Sequence, residues 1–146
     1  MGRRLRVGAF LAVAVVLAGC GAEVPTFRTD YPAARPGGKP LPIALIDQTG
    51  TVTAIAAAPG VGAGSDVAAV PGHPDRLRVT WAGGDCDDRV TLVLNRLGES
   101  FDLAVHDHPQ FGAGLVCDER AVRRTLDITF DRQVLPEQLA LRTEYP

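Results

Sequence analysis

The chain of 146 residues contains one lysine, Lys39, and two serines, Ser65 and Ser100. Its apolar run from Val7 to Ala18 falls short of the roughly 20 apolar residues a helix needs to cross a hydrocarbon core. Each shortage excludes something. Ala63-Gly64-Ser65-Asp66-Val67 is not a nucleophile elbow, and Ser100 reads as part of a hairpin turn, so serine-based hydrolysis has no candidate. Gly60-Val61-Gly62-Ala63-Gly64 has the glycines of a phosphate loop without its Lys-Ser/Thr ending. No window sustains a 3.6-residue apolar period, so the pattern argues against amphipathic helices. Arginine supplies nearly all the basic charge, but no basic face emerges of the kind a nucleic-acid binder needs. Carboxylates are common, yet nothing in the sequence sets two of them across a cleft. The residues point to no enzyme and to no cofactor.

What is present begins with a leader. Arg3, Arg4 and Arg6 precede the apolar run, and small residues follow it in Leu17-Ala18-Gly19-Cys20. This is the layout of a secretory signal, and its ending resembles the lipobox of bacterial lipoproteins. The plainer alternative is an ordinary cleaved signal with Cys20 near the cut by chance. The lipobox reading makes residues 1–19 a signal peptide and Cys20 a lipid attachment point. Such a cysteine carries a diacylglyceryl group, often with a further acyl chain on its amine, and two or more chains hold a protein stably on a bilayer. The expected location is the extracytoplasmic face of the cell membrane, with the lipid bilayer as partner through acylated Cys20.

Cleavage before Cys20 leaves 127 residues, enough for one domain. The three leader arginines are lost with no acidic residue, so the formal charge moves from −2 to −5. With Cys20 acylated, Cys86 and Cys117 remain as an even pair in an oxidising compartment, which predicts a disulfide. Residues 20–40, rich in proline and glycine, read as a lipidated flexible tether, and residues 41–146 as the folded domain.

Within that domain Leu41, Ile43 and Leu45 alternate with other residues, Asp47-Gln48-Thr49-Gly50 supplies turn chemistry, and residues 51–58 follow as a second strand. The expectation is a hairpin. Residues 59–74 read as an irregular crossing loop with a short helical turn near Asp66 to Ala69. Four clearer strands follow, on Leu77/Val79/Trp81, Val90/Leu92/Leu94, Phe101/Leu103/Val105 and Leu126/Ile128/Phe130, each alternating between a buried and a wet face. Trp81 shares the inward parity and is expected in the core near the bridge. Arg124 shares inward parity too, which predicts a bulge or a rim position there. A last strand runs over residues 138–143. Six or seven short strands joined by turns predict an all-β fold, an antiparallel β-sandwich of immunoglobulin-like or meander type with one disulfide.

His106 and His108 flank Asp107, and i, i+2 spacing on a strand places both imidazoles on one face, here the solvent face. Such a pair binds a transition metal if further ligands converge, with His73, Asp85, Asp87 and Asp88 as contributors. A solvated strand end running into a turn at Pro109 is the simpler reading. The strand ending in Trp81-Ala82-Gly83-Gly84-Asp85-Cys86-Asp87, the alternating strands after it and the second cysteine at Cys117 are together similar to small exported lipoproteins of high-GC Gram-positive bacteria. That resemblance covers the lipobox and residues 77–130. It implies a disulfide-bonded β-domain displayed on the outer face of the membrane and carries over no catalytic residue. The expected role is a binding or interaction module at the cell envelope, contacting an envelope protein or a cell-wall ligand through loops 59–75 and 107–116. Extracytoplasmic metal binding by His106 and His108 is the alternative.

Overall fold

The computed structural model describes residues 21–61, 66–110, 117 and 121–144. The leader, Cys20 and most of the 107–116 loop lie outside the described residues, as do residues 62–65. Among the described residues nine strands run in chain order: β1 (Thr26–Arg35), β2 (Lys39–Asp47), β3 (Val52–Ala57), β4 (Val67–Val70), β5 (His73–Gly84), β6 (Asp87–Leu97), β7 (Ser100–Pro109), β8 (Ala121–Phe130) and β9 (Leu139–Glu144). They form two packed sheets, one of five strands ordered β1-β2-β6-β7-β9 and one of four ordered β3-β8-β5-β4. The fold is a β-sandwich tied by one disulfide, Cys86–Cys117. Pairing is mostly antiparallel, except that β2 runs parallel to β6 and β7 parallel to β9. The chain crosses repeatedly from sheet to sheet.

The four alternating triplets read from the sequence are the core. Leu77, Val79 and Trp81 on β5 and Leu126, Ile128 and Phe130 on β8 face Val90, Leu92 and Leu94 on β6 and Phe101, Leu103 and Val105 on β7, all buried. Leu41, Ile43 and Leu45 of β2 complete the layer. Fully burying one such side chain contributes about 1.5–3 kcal/mol, so the layer supplies the main driving force. The rings of Phe101 and Phe130 meet across the sheets with centroids 5.5 Å apart.

Three expectations are corrected. Most of the tether is strand: β1 pairs with β2 from Thr26↔Ile46 to Tyr31↔Leu41, and Tyr31 joins the core. Pro32, the one proline within β1, is compatible with this because β1 is an edge strand, where a missing N–H need cost no ladder bond. The folded unit already begins at Pro25, whose carbonyl accepts a bond of 2.9 Å from the Asp47 N–H.

The hairpin of residues 41–58 is instead a corner between sheets, since β3 pairs with β8. Asp47, only 1% exposed, makes the corner. Its Oδ1 accepts from the Thr49 N–H (2.9 Å) and hydroxyl (2.6 Å), and its Oδ2 from the Val52 N–H (2.8 Å). The turn chemistry was legible, but which sheet the next strand joins depends on partners far along the chain. The expected helical turn near Asp66 to Ala69 is strand β4, paired with β5.

Candidate functional site: a groove on the outer face of the five-stranded sheet

Residues between the buried positions of β1, β2 and β6 point away from the core, and there the sheet carries a groove of about 550 Å³, within the usual range for ligand sites. Thr26, Arg28, Asp30, Ala44, Arg89 and Thr91 line it. Strand registers assemble the groove from distant segments. Arg28, Ala44, Thr91, His106 and Glu144 sit side by side in one row across all five strands. Small residues at Ala44 and Thr91 leave the depression, while Arg28 and Arg89 stand over it.

The two arginines here are held less tightly than Arg78 and Arg142. Arg28 forms no ion pair among the described residues, and Arg89 approaches only Asp88, at 3.7 Å with the Arg89 side chain 60% exposed. A pair that open and long contributes little. By contrast, Arg78 is held by Asp127 through two bonds of 2.7 and 2.8 Å, and Arg142 grips Asp102 at 2.8 and 2.6 Å.

His106 and His108 occupy one face at the far side of the groove, as their spacing predicted. Each has its own neighbour: His108 Nε2 lies 3.2 Å from Thr91 Oγ1, and His106 Nδ1 lies 3.4 Å from Glu144 Oε2. Among the described residues, no group of three or more His, Cys, Asp or Glu side chains is arranged to hold a metal. His73 starts β5 in the opposite sheet, opposite Val70, away from the pair.

A second constellation is buried at the disulfide rim. Arg124 is neither in a bulge nor at an exposed rim: the β5–β8 ladder runs unbroken through Trp81↔Arg124, and the side chain is 0% exposed. Its Nη1 donates to Asp87 Oδ2 (2.6 Å) and Asp107 Oδ1 (3.2 Å), and its Nη2 donates to the Gly84 carbonyl. Asp87 Oδ2 also accepts from the Gly84 N–H at 3.0 Å. Gly83 makes room, since a Cβ there would lie 1.8 Å from Arg124 Nη1. Trp81, in the core as expected, closes the cage. Its indole N–H and Arg124 Nε find no acceptor among the described residues.

The Trp81 to Asp87 stretch is therefore a structural clamp around a buried guanidinium. Its members were partly legible. Asp107 shares the parity of Phe101, Leu103 and Val105, whereas Asp87 turns inward only through a register shift between Asp87 and Arg89, which no alternation pattern reveals.

Burial and the nearby charge of Asp87 raise the Asp107 carboxyl to about 6, against the opposing pull of Arg124. A carboxyl raised on folding binds its proton more tightly in the folded than in the unfolded chain. Its contribution is full below its unfolded value near 4 and is lost as pH rises through about 6. Stability should therefore fall across that window as pH rises. Asp107→Asn should flatten the dependence, and urea midpoints measured every half unit of pH check it; an equal slope in the variant would refute the assignment.

The chain matches no family model, no curated protein and no solved structure, which leaves its own residues as the guide to its role.

Proposed function

We propose that this protein is a lipid-anchored module on the extracytoplasmic face of the cell membrane, held by acylated Cys20 and offering the groove of the five-stranded sheet as its binding surface. The Cys86–Cys117 bridge carries the reading. A structural disulfide suits an exported chain and is rare in a reducing cytosol, and pairing these two cysteines leaves Cys20 as the odd one, directly after Leu17-Ala18-Gly19. The groove favours ligand binding over catalysis because its polar groups are exposed arginines, threonines and Asp30, and its one hydroxyl–imidazole contact, Thr91 with His108, has no third side chain bonded to the imidazole among the described residues.

Anchoring is tested by Cys20→Ser. The wild-type chain should fractionate with membranes and carry the mass of a diacylglyceryl group on Cys20. The variant should lack that mass and lose most of its detergent-dependent partitioning. An unmodified Cys20 in the wild type would remove the anchor from the proposal.

A further inference from the structure

We infer that two copies of this chain pair edge to edge through β3, in an antiparallel ladder with its two-fold axis at Ala56. The groove lies on the other sheet, so the pairing is separate from the proposed ligand surface. It does not depend on the Cys20 anchor, which only raises the local concentration.

An unguarded edge is the first reason. The outer strand of a sheet presents free N–H and C=O groups, and proteins guard it with charge, proline or brevity. Among the described residues the sheet orders leave β1, β9, β3 and β4 at the edges. Strand β1 carries Arg28, Asp30 and Pro32, and β9 carries Arg142 and Glu144. Strand β4 is only 4 residues long and lies between Asp66 and Pro71. β3 has no such guard: from Val52 to Ala58 the chain reads Val-Thr-Ala-Ile-Ala-Ala-Ala, without charge or proline. Thr53, Ala54 and Ala56 are exposed, and Ile55 and Ala57, like Phe27, are only half-buried against the core.

Self-complementary register is the second reason. The Ala58 N–H donates to the Thr125 carbonyl at 2.9 Å. By the alternation of an antiparallel ladder, Ala56 also turns its N–H and C=O to β8, while Ile55 and Ala57 turn theirs to the open side. A second copy set antiparallel with Ala56 against Ala56 brings Ile55 of each copy opposite Ala57 of the other, and backbone bonds between them close the ladder. The two Ala56 residues form the closer type of pair, about 4.5 Å between Cα atoms, which a methyl group fits. Ile55 and Ala57 meet on the inner face and cover each other's margin of the core. The strand brings no charge of its own, and Asp127, opposite Ala56 on β8, is already neutralised by Arg78. Such an isologous contact uses up both edges and closes at two copies. An edge this short buries less than the roughly 1,200 Å² of a stable interface, so the pair is weak in free solution and gains from anchoring in one bilayer. Its axis stands normal to the sheet, so both copies turn the same face, and both linkers, toward that bilayer.

The test introduces Ala56→Cys into the full chain, lipidated in vesicles or, if Cys20 proves unmodified, concentrated in solution. Under mild oxidation this variant should give a disulfide-linked dimer joined through position 56 of both copies. It should form about tenfold faster than with Ala54→Cys, because opposed Cβ atoms lie about 5 Å apart whereas Ala54 faces Ala58 of the other copy. Ala57→Pro removes an N–H that bonds nothing in β8, so the fold should melt as before while the crosslinking rate of Ala56→Cys falls to that of Ala54→Cys. Equal rates at positions 54 and 56 overturn the pairing, as does a rate indifferent to Ala57→Pro. Products larger than a dimer would show open-ended stacking of edges and overturn the closed pair. In intact cells, an adduct of position 56 with a different protein in place of the dimer would assign the edge to that protein and overturn the second copy.

Discussion

Arg124→Ala is expected to lower the unfolding free energy by about 3–5 kcal/mol, the usual result of removing one partner from a buried charge cluster. The reason lies in what stays behind. Asp87 and Asp107, 3% and 7% exposed, would face each other with no cation, and the Gly84 carbonyl would lose its donor. Two adjacent buried carboxylates cannot both remain ionised, so one would take up a proton. A small domain has a net stability of about 5–15 kcal/mol, and the variant would sit near the edge of folding at room temperature. Urea titration at neutral pH measures the loss; a midpoint change worth less than about 1 kcal/mol would show that water or relaxation compensates for the guanidinium. Adding Asp107→Asn to Arg124→Ala should cost less than the sum of the single changes, because one orphaned charge then disappears.

Cys86→Ala/Cys117→Ala is expected to be of similar severity by a different route. The bridge joins cysteines 31 positions apart, and restricting a loop of that length in the unfolded chain stabilises the fold by about 3–4 kcal/mol on the chain-entropy estimate. For a domain of this size the melting temperature should fall by on the order of 10–20 °C. Using the double variant avoids a free thiol that could pair with another chain. Calorimetry of the wild type with and without a reductant supplies the matching observation. A transition unmoved in both experiments would mean that strand pairing alone holds the two ends. The two predictions concern one region, because Cys86 and Asp87 are neighbours and the Gln110 N–H bonds the Cys86 carbonyl. Removing the bridge should therefore also loosen the Arg124 cage, and the losses should not add.

Much of the sandwich was legible before any coordinates. Leu77/Val79/Trp81, Val90/Leu92/Leu94, Phe101/Leu103/Val105 and Leu126/Ile128/Phe130 alternate because a strand in a two-layer fold has one buried face, and that period is written locally. The two domain cysteines were equally readable once Cys20 was set aside. β1 was missed because Pro25, Pro32 and Pro36 look like linker, yet Pro25 and Pro36 flank the strand and Pro32 lies within it at the edge of a sheet, where it is tolerated.

The candidate site was hidden for the same reason. Arg28 lies in the stretch read as tether and Arg89 belongs to no motif, and nothing short of the parallel β2–β6 register places them beside one groove. His106 and His108, which the sequence brought forward, do share a face, but strand pairing gives each its own polar neighbour at Thr91 and Glu144.

By itself, then, the sequence determined the alternation, the core residues and the pairing of Cys86 with Cys117, all of which follow from local period and cysteine count. Tertiary structure alone decided that Asp47 turns the chain into the other sheet, that two strand pairs run parallel, and that Arg124 lies buried between Asp87 and Asp107. These depend on residues tens of positions apart meeting across a sheet, and on a one-residue register shift that reverses which face a side chain occupies.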